Sequence, residues 1–142
     1  MNLILLENAN ILSLIVQFAI ILLVILAVLL ASRGKTAQHC KLVSIAVLAQ
    51  IISILVFMSP VMSDFLNYGF GSRLLIAQIW IHHLAGIGVI MLVVYINLAM
   101  KGKTKVLGNV FRLMKITFAL WILVFMGGQV IYLALWHGNS LL

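Results

Sequence analysis

The chain has 142 residues, of which 65% are hydrophobic and 8% are charged, and its formal net charge is +7. Soluble domains keep about a quarter of their residues charged, so this composition excludes a water-soluble globular domain and indicates that lipid is the main solvent. The length is sufficient for one domain. Because the sequence contains only two acidic residues, a hydrolase built on paired carboxylates is disfavoured as well.

Four apolar stretches occupy most of the sequence. Each has about the 20 residues that a helix needs to cross roughly 30 Å of hydrocarbon. A backbone in lipid must satisfy its own hydrogen bonds, and the stretches lack strict alternation, so helices are predicted rather than barrel strands. The sequence therefore predicts an all-α integral membrane four-helix bundle that forms a single domain. The predicted spans are residues 11–31, 41–62, 78–100 and 116–136.

The basic residues predict the orientation of these spans. Eight of the nine lie in or beside the loops after the first and third spans, whereas the acidic Glu7 and Asp64 lie at the opposite ends. Cytoplasmic loops carry an excess of lysine and arginine, so we expect both basic loops inside and both termini outside. The net charge then reflects topology and contact with anionic headgroups, and no nucleic-acid partner is expected.

Polar residues interrupt the apolar pattern of the first two spans. Gln17 lies in the first and Gln50 in the second, and Pro60 near the outer end of the second is expected to end or kink its last turn. Buried amides commonly join helices by hydrogen bonds. The alternative is that these glutamines converge with Gln78 and Gln129 and line a site for a quinone-like head group.

The third and fourth spans combine tryptophans with small residues. Counted outward from the basic residues that flank each span, Trp80 and Trp136 fall at one outer boundary, as residues of an aromatic belt do. Small residues let helix backbones approach closely in lipid. They also leave space for the edge of a flat cofactor. The glycines of these spans therefore have two interpretations, close helix packing or a cofactor site. The glycines of these spans are Gly86, Gly88, Gly127 and Gly128.

Three of the four histidines collect at this outer boundary. His82 and His83 lie early in the third span, and His137 follows the fourth. Neutral imidazole is a good ligand for haem iron, copper and zinc. A haem b between two helices needs one histidine from each at equal depth, which His82 and His137 meet by count, with His83 in reserve. Gly86 and Gly128 are expected beside the porphyrin. The alternative is that such interfacial histidines simply bond headgroups and water.

A metal ion such as copper or iron is a second candidate ligand for these histidines. Its site would use His82, His83 and His137, with Asp64 at the outer end of the second span as a further donor. Gln78 lies one turn before His82 and extends the polar stripe. His39 lies about 30 Å away on the inner side by helix rise, so it is expected to serve a separate inner site or to bind lipid phosphate.

Short motifs along residues 38–135 carry a family resemblance. They are His39-Cys40-Lys41-Leu42 opening the second span, His82 early in the third, Gly102-Lys103, Arg112-Leu113-Met114-Lys115-Ile116-Thr117 with Trp121, and Gly128 with Tyr132-Leu133. In this order they are similar to motifs of a prokaryotic four-helix membrane family of unknown function. That family includes a maturation factor for haem-A-containing terminal oxidases.

The resemblance implies the plasma membrane of a prokaryote, a role beside a terminal oxidase, and functional roles for His39 and His82. The chain departs from the family in the loop before the fourth span. There the family usually has a second His-Arg pair, whereas this sequence has Asn109-Val110-Phe111.

Two classes of function agree with these residues. The leading hypothesis is a small membrane subunit that serves respiratory electron transfer and binds haem b or a metal through the outer histidines. The alternative is a non-catalytic assembly or maturation factor for a haem-containing terminal oxidase, or a structural subunit of a larger membrane complex. In both, the expected partners are the lipid bilayer and other membrane subunits of a respiratory complex.

Overall fold

The computed structural model describes residues 3–60, 62–63, 73–105 and 108–137, with the side chains among them from residue 11 to residue 134. The chain divides into two compact units, Met1–Phe70 and Gly71–Leu142, each of which contains one helical hairpin. Every regular element in the described ranges is a helix, which confirms the all-α prediction.

The first hairpin pairs α1 (Leu3–Ser32) with α2 (Thr36–Ser53). The buried residues of α1 recur at intervals of three and four, as expected for one face of a helix. Ala27 on α1 and Ala46 on α2 are both 0% exposed. Because small side chains occupy this buried face, the two backbones can approach closely. Helices in lipid associate through such close packing, since lipid provides no hydrophobic driving force between them.

A π-helical segment, Ile54–Met58, continues α2. After it, the N–H of Ser59 bonds the carbonyl of Ile54, five residues earlier instead of four. Pro60 comes next, and a proline ring clashes with the carbonyl four residues before it and provides no N–H. The wider turn accommodates the proline, so the disturbance expected at Pro60 falls on the turn that precedes it.

One side-chain hydrogen bond joins the two helices of this hairpin near the π-helical segment. Gln17 Nε2 donates to Ser53 Oγ at 3.0 Å, and Ser53 is only 1% exposed. One turn earlier on α2, Gln50 Oε1 is buried and has no hydrogen-bond partner among the described residues. In the first hairpin Gln17 therefore joins two helices, as one of the two sequence interpretations expected, whereas Gln50 Oε1 does not.

The second hairpin pairs α3 (Arg73–Met100) with α4 (Val110–His137). Val89, Val93 and Ile96 form a buried stripe on α3 at helical spacing, and Thr117 and Trp121 are the buried residues on α4. The two helices are antiparallel because a nine-residue loop joins them. A Cβ built on Gly86 would lie 3.7 Å from Cγ1 of Val124, so this glycine marks a close approach of the two backbones.

Both hairpin turns begin with the same helix-ending motif. Gly34 after α1 has φ of +74° and Gly102 after α3 has φ of +69°, a conformation that favours glycine. The next N–H then reaches back five residues, from Lys35 to the carbonyl of Leu30 and likewise after α3. At the start of α4, Asn109 Oδ1 caps the helix by accepting two backbone N–H groups. These turns explain why each basic loop is short.

In the register of the second hairpin, Trp80 on α3 and Trp136 on α4 do not lie opposite each other. With Gly86 opposite Val124, Trp80 lies level with about Val130, and Trp136 lies about 9 Å further along α4 by helix rise. The count behind the expected common level started at Lys115, whereas α4 begins five residues earlier, and the belt role of the two tryptophans stays a prediction. The predicted fourth span excludes Arg112 and Lys115, whereas both residues belong to α4.

Four helical segments are long and apolar enough to cross a bilayer. Large apolar side chains remain exposed on each of them, for example Leu22, Leu55, Ile81 and Phe111 with 64%, 65%, 67% and 72% exposure. A water-soluble surface of this kind would aggregate, so the structure indicates a multi-pass membrane protein in contact with lipid. The segments are Ile11–Ser32, Thr36–Met58, Arg73–Met100 and Val110–Ala134.

The first prediction tests the hydrogen bond between Gln17 and Ser53. We expect Ser53→Ala to lower the free energy of unfolding by about 1 kcal/mol, because the amide of Gln17 loses its partner inside an apolar hairpin. The measurement is denaturation in mixed detergent micelles. Ser44→Ala is the matched control, since the Ser44 hydroxyl is exposed and bonds only the carbonyl of Cys40 on its own helix. Equal losses in the two variants would contradict a specific interhelical bond.

Candidate functional site

His82 on α3 lies in a notch that two glycines form on α4. A Cβ added to Gly128 would lie 3.0 Å from Cε1 and 3.4 Å from Nε2 of His82, and one added to Gly127 would lie 3.7 Å from Nδ1. A contact of 3.0 Å is closer than a methyl group tolerates without displacement of its neighbour. The imidazole thus occupies the space that side chains at these two positions would fill.

The notch also gives His82 a hydrogen-bond partner on the facing helix. Its imidazole bonds the backbone of Val124, which lies one turn before Gly128. The N–H of a residue in mid-helix is already bonded within the helix, so the carbonyl of Val124 is the acceptor. Residues three and four positions after a helical carbonyl normally cover it, and here both are glycine. Gly127 and Gly128 therefore make this carbonyl accessible from α3.

His83, the next residue of α3, bonds its own helix. Its Nδ1 lies 2.8 Å from the carbonyl oxygen of Ile79, one turn earlier. A carbonyl only accepts, so Nδ1 carries the proton and Nε2 of the neutral ring carries a lone pair. Nε2 is buried and has no hydrogen-bond partner in the described part of the chain.

This tautomer is the one that metal-binding histidines adopt. In such sites the nitrogen that does not bind the metal usually donates its proton to a backbone carbonyl or carboxylate, which fixes the ring and leaves the other nitrogen as ligand. The rings of His82 and His83 are in an edge-to-face arrangement, with centroids 5.6 Å apart and an interplanar angle of 84°. The two imidazoles are therefore neighbours with different hydrogen-bonding roles.

Of the other predicted ligands, only Gln78 has its side chain in the described part of the chain. His137 is the last residue of α4, with its side chain outside the described residues, and it lies nine residues beyond Gly128, or about 14 Å by helix rise. The ligand role expected of His137 stays a prediction. Asp64 lies outside the described residues, and Gln78 is exposed on α3. Among the described side chains, no three His, Cys, Asp or Glu residues form a group that would hold a metal ion.

His39 belongs to the first hairpin and has a structural contact there. Its Nδ1 lies 2.8 Å from the carbonyl oxygen of Ala27 on α1, so this histidine also links two helices. Among the glycines, Gly86 approaches Val124, whereas Gly88 has open space around it and is not a packing contact. The sequence interpretation had treated these two glycines alike.

Sequence reasoning missed the backbone carbonyls of Ala27, Ile79 and Val124, which accept from the three described histidines. A carbonyl has no residue-specific pattern, so two of the three left no trace in the sequence. The exception is Val124, because the Gly127-Gly128 pair that exposes its carbonyl is visible in the sequence.

Comparison with known proteins gives no relative: the chain matches no protein-family model, and neither a curated protein nor a solved structure matches it. The resemblance to the family that includes an oxidase maturation factor therefore stays a prediction from short motifs.

The second prediction concerns the glycine notch. We expect Gly128→Ala to destabilise the second hairpin by about 1–3 kcal/mol, because its methyl group would overlap the ring of His82. Unfolding in mixed micelles measures the effect. Gly88→Ala is the matched control and should be neutral or stabilising, since nothing lies within 4 Å of the added methyl group and alanine favours a helix.

A double-mutant cycle makes this test specific to His82. When His82→Ala is already present, Gly128→Ala should cost little or nothing, because the ring that it would displace is gone. Additive losses from the two substitutions would contradict a direct contact between these residues.

Proposed function

We propose that the protein is a small multi-pass membrane subunit that serves respiratory electron transfer and binds haem b or a metal ion, copper or iron, through His83. One observation carries the proposal. His83 holds its Nδ1 proton on the carbonyl of Ile79 and keeps a buried Nε2 without a partner in the described part of the chain. An unpaired buried polar atom costs free energy, and coordination of a metal would recover it.

His83 replaces His82 as the leading ligand in this proposal. Both nitrogens of His82 lie against α4 at the glycine notch, and its ring bonds the backbone of Val124. Ligation by His82 would break that contact, whereas ligation by His83 would use a lone pair that is already free of hydrogen bonds. His82 then orients the α3–α4 contact beside the ligand.

The choice between haem and a metal ion depends on the second donor. If haem b is the bound group, His83 would hold it together with a second ligand from outside α3, because neighbouring residues of one helix would not both serve it. A copper or iron ion would need at least one further donor beside His83, since the ring of His82 is engaged with α4. Either group would supply one-electron chemistry when bound.

For the topology we propose a prokaryotic plasma membrane with the basic loops in the cytoplasm. The support is the charge asymmetry, because eight of nine basic residues lie at the turns that follow α1 and α3 or close to them. The outer ends of the helices then carry His82 and His83. A quinone-like partner is proposed only for the first hairpin, where Gln50 Oε1 is buried and lacks a partner among the described residues.

A second candidate is a non-catalytic assembly factor or structural subunit of an oxidase complex. The observation that favours it is the use of His39 and His82 in contacts between helices. These are the two histidines that the family resemblance selects. If they serve packing, the resemblance concerns fold and assembly instead of cofactor chemistry.

The third prediction tests the ligand. The purified protein should show sharp α and β bands on reduction if it holds haem b, or copper or iron by elemental analysis if it holds a metal ion. His83→Ala should abolish the bound group, because it removes the free Nε2. His39→Ala is the control and should retain it, since His39 lies in the other hairpin.

Two results would contradict the ligand proposal. Unchanged occupancy in His83→Ala would show that another residue binds the group. A wild-type preparation, purified from the native membrane, that is colourless and free of copper and iron would leave the assembly or structural role as the better proposal.

The fourth prediction tests the orientation by labelling with a membrane-impermeant thiol reagent. The native Cys40 is exposed and serves as an inner reporter, so intact cells should not label it. In a Cys40→Ser background, Thr104→Cys should also stay unlabelled, whereas Asn67→Cys and Ser140→Cys should react from outside. The reversed pattern would place the histidines of α3 near the cytoplasm.

A further inference from the structure

The turn of the second hairpin carries an exposed cluster of positive charge. We call this cluster the basic loop; all five of its side chains are exposed. No aspartate or glutamate follows Asp64 in the sequence, so the second hairpin contains no carboxylate side chain that could neutralise the positive charges of the basic loop. The members of the basic loop are Lys101, Lys103, Lys105, Arg112 and Lys115.

The loop is folded back against the end of α3. The hydroxyl of Tyr95 donates to the carbonyl of Lys105 at 3.0 Å, although Tyr95 lies five residues before the end of that helix. Five residues of helix correspond to about 7.5 Å, so the backbone at Lys105 returns to the level of the last turns of α3. The bond from Tyr95 ties the loop backbone at Lys105 to α3.

Apolar side chains lie next to these charges. Phe111, directly before Arg112, is 72% exposed, and Met100, directly before Lys101, is 53% exposed. At a membrane surface an apolar side chain enters the acyl boundary while neighbouring lysine and arginine head groups stay at the phosphates. The start of α4 adds to the positive potential, because its first turn contains no acidic residue to offset the helix dipole.

We propose that the basic loop is a binding surface for anionic phospholipid headgroups. Clusters of four to eight lysines and arginines directly beside a membrane helix attract anionic lipid. Here five charges have no carboxylate in their own hairpin and are held at the helix ends. The proposal is independent of the ligand of His83, and it requires only that these helices span a bilayer.

The test measures binding of phosphatidylglycerol and phosphatidylcholine of equal chain length to the intact protein in detergent, by native mass spectrometry. The wild type should prefer phosphatidylglycerol about tenfold or more, and 0.5 M salt during incubation with lipid should reduce the preference by screening. Changing all five residues of the basic loop to Gln should reduce it to below about twofold. Arg73→Gln, at the opposite end of α3, is the matched control and should leave it unchanged.

A second variant separates charge from folding. Changing Lys101, Lys103 and Lys105 to Arg preserves the charge and should preserve the preference. Equal binding of the two lipids by the wild type, or an unchanged preference in the five-residue variant, would overturn the proposal. The first of these results would favour an acidic polypeptide segment as the partner of the loop. Neither result bears on the bound group of His83, which is measured separately.

Discussion

Hydrocarbon offers no hydrogen-bonding partner, so each polar group inside an apolar helical hairpin must find one in the protein or remain unpaired at a cost. The described helices meet this constraint mainly through backbone carbonyls. Asn97 and Thr117 each bond a carbonyl of their own helix, one turn earlier. Gln17 instead reaches Ser53 on the neighbouring helix. The polar side chains therefore follow a common pattern, which makes departures from it informative.

Two buried atoms depart from the pattern: Gln50 Oε1 and His83 Nε2 have no partner among the described residues. Their chemistry differs. An amide oxygen accepts a hydrogen bond from water or from a hydroxyl group, whereas an imidazole lone pair also coordinates metals. His83 further has its other nitrogen fixed by Ile79 at 2.8 Å, so its ring is held in the tautomer that a metal requires. This difference is why the proposed function rests on His83 and not on the amide.

The sequence was sufficient to predict four apolar helices and two short basic turns, because hydropathy and charge are properties of residue type. It was less accurate at the helix ends. α4 begins at Val110 instead of Ile116, since Asn109 caps a helix whose first residues include Arg112 and Lys115. A hydropathy count stops at basic residues, whereas a helix continues through them.

The roles of the histidines were beyond prediction for another reason. Sequence spacing showed that His82 and His83 lie about 100° apart on one helix, and it favoured His82 over His83 for an inward role, but it did not show which contact each ring makes. That depends on the register of the hairpin, which is set by the turn at Gly102 and by contacts such as Gly86 with Val124. Only the register therefore separates the packing contact of His82 from the free nitrogen of His83.

The glycine pair on α4 connects packing with the candidate site. Without side chains at Gly127 and Gly128, the carbonyl of Val124 can accept from His82, and the two helices are joined by a polar contact as well as by apolar packing. That contact fixes the rotation of α3 about its axis, and this rotation also sets the direction of His83. Because the two histidines are adjacent, His82 positions its neighbour through the backbone they share. The interhelical contact of His82 is thus one of the features that leave His82 engaged in packing and His83 with a free nitrogen.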